Sequence, residues 1–420
     1  MDKDTFALLL LSLEDPEDLI SLGCSCRTFY AWVGEFGWRS WAQARNASTH
    51  GTSRNWLKDA RTYAHKDYAW HRCLYRSCNI SEHRSHRLPW PVNARSSIAM
   101  DERQNLVVGC GSFLARKPCD SRSDLSRLAK QSWTVNNCRR ASMHDITCVQ
   151  TIRGTAQVFV GFANGIIAQA LPSRERSLKY YKRFDLSHYG SVQAMDNTDS
   201  ILAVASRYKL HVLRTASFPH QGADVVFGEE LPSRPWTVKF LTNRQLAVGL
   251  TDDQYMTVYA EHQSHWTPVR LYDKKHRDEA IGATYALERV SANEFASGNF
   301  DGATRVHDQR LPAYHDVVQE FRDPVDDTAV YSLSLCGHRV LAGSCRNSAV
   351  RIFDRRQASG SYTCFGHKAR SSPVYSLVTQ GSRIFAAVES AVSVIDFRST
   401  YKPGPHYMHL AWTVPANFIV

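Results

Sequence analysis

The 420-residue chain has no apolar run approaching the ~18 residues that a membrane-spanning helix needs. Its first apolar stretch, Phe6 to Leu13, meets Glu14 and Asp15 at once, without the basic lead or small-residue cleavage site of a signal peptide. There is no CxxC pair, Walker loop, GxGxxG, HExxH or GxSxG, so catalysis has no motif to rest on. Cysteine is present but odd in number, eleven at irregular spacing, which speaks against a secreted disulfide framework and for free thiols in a reducing compartment. Cys24 with Cys26, and Cys73 with Cys78, lack the second pair that a zinc site requires. The expectation is a non-catalytic chain, cytoplasmic and/or nuclear, with no cofactor, metal or membrane contact and with the sequons at Asn46 and Asn79 unmodified.

With 43% hydrophobic and 22% charged residues the chain is neither disordered nor a simple coiled coil, and its length allows two or three domains or one repeat array. A net charge of +11 invites a nucleic-acid partner, but the excess is local. Residues 96–190 carry 14 basic against 7 acidic side chains, whereas residues 191–420 carry 24 against 23. Nucleic acid is therefore not the expected partner. The basic density peaks between Arg116 and Arg140, where an extended loop would account for it, and again in Arg174 to Arg183. The ordinary reading of both is solvated surface. The functional one is attraction of an acidic or phosphorylated protein, with Arg139 and Arg140 as contact residues.

Before residue 80 the apolar spacing is helical: Leu19, Leu22, Cys26, Phe29 and Tyr30 share one stripe. After residue 95 short β-rich runs end in Gly or Ala at 109, 161, 205, 249, 298, 343 and 387, at intervals of 44 to 52 residues. A mid-forties period of several short strands predicts a seven-bladed β-propeller of four-stranded blades, because one blade cannot bury both sheet faces without neighbours. Innermost strands are expected at Val330-Tyr331-Ser332-Leu333 and Val374-Tyr375-Ser376-Leu377, and a tight Asp301-Gly302 turn joins two strands of the fifth copy. Ring closure is open between a strand near residues 80–95 and one at Tyr407 to Val414.

Residues 94–400 resemble a degenerate WD-repeat propeller. His307, Phe353 and Ile395 stand where the family has Trp before Asp308, Asp354 and Asp396. Of the family's buried Asp and His relay, Asp301 and His367 fit, in different blades. The Asp-x-Arg runs at Asp308, Asp354 and Asp396 resemble the motif that binds the damage-binding adaptor of cullin ligases; the plainer reading is that Arg closes the blade edge. Arg346, in the second turn of the sixth blade, is a further candidate substrate contact.

Upstream, Pro16 opens a helix that carries Leu19, Leu22, Cys26 and Phe29, after a first helix ending at Leu13, and Trp38 follows the breaker at Gly34 to Gly37. This pattern resembles an F-box, the helical module that docks the Skp-type adaptor of cullin ubiquitin ligases. The resemblance implies adaptor contacts from Leu13, Pro16, Leu19, Leu22, Cys26, Phe29 and Trp38. Together with Asp67-Tyr68-Ala69-Trp70 and Val350 to Gln357, the whole is similar to the dactylin-type F-box and WD-repeat proteins. The expected organisation is therefore a small all-α F-box at 1–45, a helical linker at 46–92 and a mainly-β, seven-bladed WD-repeat propeller at 93–420. The implied role is substrate recognition in a Skp-cullin-F-box ligase. The alternatives are a receptor for the damage-binding adaptor, or a scaffold or RNA-binding propeller outside any ligase.

Overall fold

The computed structural model describes residues 22, 27–33, 37, 69–70, 75–81, 95–119, 124–138, 145–152, 155, 157–172, 178–198, 200–215, 224–263, 265–273, 282–313, 315–323, 326–357, 361–366, 372–389 and 391–397. They form two units: the described residues up to Arg76 with Phe397, and those from Ser77 to Asp396. In the first, Arg27–Trp32 is helical and includes Phe29 of the helix expected to open at Pro16. Leu22 and Phe29 are half-buried, and Phe29 lies 5.9 Å from Trp32. Leu13, Pro16, Leu19, Cys26 and Trp38 fall outside the described residues. Trp70 is buried and stacks on Phe397 at 3.9 Å.

The second unit is a mainly-β propeller of seven four-stranded antiparallel sheets. Blade 1 comprises Ser96–Met100, Asn105–Cys110, Phe113–Pro118 and Thr134–Asn137, paired in that order from the axis outward. Blade 2 comprises Ile146–Thr151, Val158–Phe162, Ile166–Pro172 and Leu178–Asp185, and blade 3 Ala194–Asn197, Ile201–Ser206, Lys209–Arg214 and Asp224–Glu230. Blade 4 runs Thr237–Thr242, Gln245–Gly249, Gln254–His262 and His265–Asp273; blade 5 runs Thr284–Arg289, Glu294–Asn299, Thr304–Asp308 and Val317–Phe321. Blade 6 is Val330–Cys336, Arg339–Ser344, Ala349–Asp354 and Ser361–Phe365. Blade 7 has Ser376–Gln380, Arg383–Val388 and Ala391–Asp396, and its outermost strand is Arg76–Asn79.

That last strand decides the closure and corrects two boundaries. A strand from the N-terminal side completes the last blade, continued by Ile80, whose N–H donates to the Val392 carbonyl at 3.0 Å. The stretch read as a helical linker to residue 92 thus contains a propeller strand, and the propeller begins before residue 93. The reason is physical: Ala391–Asp396 is buried along its whole length, so its outer edge needs a partner for its backbone groups.

The recurring Gly and Ala mark the place where each second strand passes the first strand of the next blade. A Cβ on Gly109 would sit 2.5 Å from Ile146, on Gly161 2.7 Å from Val192, and on Gly298 2.5 Å from Val330. Apolar clusters fill the seams. Val160 and Ile146 join Val107 between blades 1 and 2, and Phe385 and Val394 meet Ile98 and Leu106 between blades 7 and 1. Each such side chain contributes roughly 1.5–3 kcal/mol by leaving water. The long first interval holds a helix, Leu125–Lys130, capped by the Asp124 carboxylate, which accepts from the Arg127 N–H at 2.6 Å. Beyond it, the Trp133 indole N–H donates to the Ile80 carbonyl at 3.1 Å, holding the insertion against the closing segment.

Candidate interaction site at the mouth of the propeller

The seven innermost strands wall a central cavity of about 630 Å3. Their register gives each blade one equivalent position at the end where these strands begin, just before the residue paired with the recurring Gly or Ala. Around the ring that position is Ser96, Thr147, Gln193, Trp236, Tyr285, Tyr331 and Tyr375, and all seven line the cavity. Three consecutive blades are polar there and four are aromatic.

The aromatic side chains form an arc. Trp236 and Tyr285 meet edge to face at 5.1 Å, and Tyr285 and Tyr331 do the same at 5.0 Å. Phe300, exposed in the second turn of blade 5, lies 6.3 Å from Tyr285. An arginine stands at each end. The Arg234 guanidinium covers the Trp236 ring at 4.2 Å and donates to Gln193 at 3.1 Å, while Arg95 lies 5.9 Å from the Tyr375 ring. Burial raises the pKa of all three tyrosines, so their hydroxyls stay protonated donors at neutral pH. The Trp236 indole N–H is shielded from water and has no acceptor.

Further along the channel, polar pairs tie neighbouring blades together. Lys239 meets Glu288 at 3.1 Å, and the buried Asp196 accepts from Gln150 at 2.9 Å and from the Phe240 N–H at 2.8 Å. These groups satisfy one another, whereas the Trp236 N–H at the mouth has no acceptor.

Of the basic residues singled out from sequence, Arg346 is exposed in the second turn of blade 6, beside Cys345 and at the same end as the arc. Arg139 and Arg140 lie outside the described residues. Arg310 and Arg356 fold back on the aspartates two positions earlier, at 2.6 and 2.7 Å, and Arg355 reaches Gln319 and Glu294 of blade 5. In the runs at 308 and 354 the Arg is thus held within its own turn, and Arg398 is outside the described residues. Asp301 pairs with Arg305 at 2.7 Å and Arg322 at 3.0 Å, and His367 lies outside the described residues. The aromatic arc escaped the sequence reading, although one signal marks it: each member stands 12 or 13 residues before a recurring Gly or Ala. Among the described residues no helix is long and apolar enough to cross a membrane, and no group of three or more His, Cys, Asp or Glu is placed to hold a metal ion.

The seven-bladed ring is a WD40 β-propeller. The crystal structure of the WD40 β-propeller domain of Doa1 matches with a TM-score of 0.56 at 14% identity, covering 75% of this chain and 95% of that one. At that identity the likeness concerns the fold. No protein-family model matches the sequence, and no curated protein matches it.

Proposed function

We propose that the chain is the substrate-recognition subunit of a Skp-cullin-F-box ubiquitin ligase. Residues 1–45 dock the adaptor, and the mouth of the propeller binds the substrate protein. The role is non-catalytic: holding the substrate near the charged conjugating enzyme raises the effective concentration of its lysines. The observation that carries the reading is the mouth itself, an arc of aromatic side chains bounded by Arg95 and Arg234, on a chain whose N-terminal residues resemble an F-box. Aromatic and arginine side chains dominate protein recognition because they offer large contact area and several donors for little lost freedom.

The test is co-purification of the full chain with a Skp-type adaptor and cullin. Leu19→Asp with Leu22→Asp should reduce adaptor retention at least tenfold while the thermal midpoint of the propeller holds. A wild-type chain that retains the damage-binding adaptor in place of the Skp type, or neither, would overturn the proposal.

A further inference from the structure

We infer that the mouth takes an extended, proline-containing peptide segment flanked by acidic residues, a deepening that rests on the mouth being the substrate-binding surface. The inference starts from hydrogen-bond chemistry. The arc has more donors than acceptors: the partnerless Trp236 N–H and the guanidinium groups at its ends only donate, and the hydroxyls of Tyr285, Tyr331 and Tyr375 donate as well as accept. A matching ligand is rich in acceptors and poor in N–H groups. Proline lacks the N–H and leaves its carbonyls outward in the polyproline II conformation, which has no internal hydrogen bonds and little freedom left to lose.

Shape points the same way. The edge-to-face steps from Trp236 to Tyr285 to Tyr331, with interplanar angles of 77° and 66°, turn ring faces and ring edges alternately along one rim, a stepped aromatic surface against which prolyl rings pack. A cationic ligand, the other common occupant of an aromatic site, meets two guanidinium groups already placed over the terminal rings. Glu389 is close enough to Tyr375 to be felt there, but Arg95 outweighs it. Arg95 and Arg234 therefore call for carboxylate or phosphate on either side of the proline segment.

The experiment measures binding of a labelled peptide, Glu-Glu-Pro-Pro-Leu-Pro-Pro-Glu-Glu, to the full chain by fluorescence anisotropy. Comparison peptides carry alanine for every proline, lysine for every glutamate, or phosphoserine for the flanking glutamates. Binding should weaken at least tenfold with either the alanine or the lysine peptide, and the phosphoserine peptide should bind as well as the parent or better. Trp236→Phe, which keeps an aromatic ring of smaller area and removes the N–H, should weaken the parent peptide three- to tenfold, and Arg95→Glu with Arg234→Glu at least tenfold. The remote Arg310→Ala should leave the peptide affinity unchanged, and thermal midpoints of the mouth variants should stay within 2 °C.

Equal binding of the alanine peptide would overturn the inference, as would a strict need for phosphoserine or an unchanged affinity in Trp236→Phe. Skp-type adaptor retention is measured on the same variants. Lost peptide binding with retained adaptor removes this inference alone, and peptide binding without adaptor retention removes the ligase role alone.

Discussion

The Oγ of Ser297 lies 2.9 Å from Nε2 of His307. The other ring nitrogen stands 3.3 Å from Asp316, which accepts from the Tyr272 hydroxyl of blade 4 at 2.5 Å. The order serine, histidine, aspartate is that of a nucleophilic triad. Their burial, at 1%, 1% and 0% exposure, assigns them to the interior of blade 5 instead. His307 occupies the position where WD repeats carry Trp, keeps the flat ring stacked on Phe295 at 4.6 Å, and adds a second polar atom that reaches Asp316. His307→Phe retains the stack and removes one hydrogen bond from each partner, leaving Ser297 to Asn299 and Asp316 to Tyr272, so it should cost about 2–4 kcal/mol in urea unfolding, against about 1 kcal/mol for Ser297→Ala. A fluorophosphonate probe should leave native Ser297 unlabelled; labelling would contradict a structural role.

The glycines that gave the repeat its period yield a second prediction. Gly298→Ala forces a Cβ to within 2.5 Å of the Val330 side chain, which is itself fully buried, and should destabilise by about 1–3 kcal/mol. Gly337→Ala meets nothing within 4 Å and carries only the strain of its φ of +59°, about 1 kcal/mol. A larger loss at 337 than at 298 would refute close passage between blades as the reason for the pattern.

A third prediction concerns acid. Arg310 holds the Asp308 carboxyl down at about 2. At Asp326 burial pushes the other way but hydrogen bonds from Thr328 and Arg351 outweigh it, and at Asp354 Arg356 outweighs burial in the same manner. Carboxyls held below their unfolded pKa of about 4 stabilise the fold fully above that value and cease to do so as pH falls through the folded pKa. The thermal midpoint should therefore drop between about pH 4 and pH 2. Asp354→Asn with Asp308→Asn should make the drop shallower; an unchanged slope would place acid sensitivity elsewhere.

What the sequence disclosed follows from how each feature is encoded. Blade number and spacing were legible because Gly109, Gly161, Gly249, Gly298 and Gly343 each answer the same steric demand, which repetition makes visible. Val330 to Leu333 was recognisable as an inner strand for the same reason. The aromatic arc was not, since it draws one side chain from each of four blades and only the register brings Trp236, Tyr285, Tyr331 and Tyr375 to one rim. The closing strand was hidden more thoroughly. Arg76, Ser77, Cys78 and Asn79 carry no apolar alternation, because an outermost strand is recruited by the backbone edge it pairs with more than by its side chains.

That encoding makes the closing strand the sharpest test of the architecture. A chain starting at residue 93 would leave the outer edge of Ala391–Asp396 without a partner and strip Ile80 from a cluster containing Leu106, Leu128 and Phe385. It also orphans the Trp133 N–H, now bound to the Ile80 carbonyl. A fully buried isoleucine contributes roughly 1.5–3 kcal/mol, and each stranded buried donor costs about 1–3 kcal/mol more. Together these approach the 5–15 kcal/mol by which a typical domain is stable. A chain starting at residue 93 should be insoluble or melt at least 15 °C below one starting at residue 75. Equal midpoints for the two would mean that another segment closes the ring.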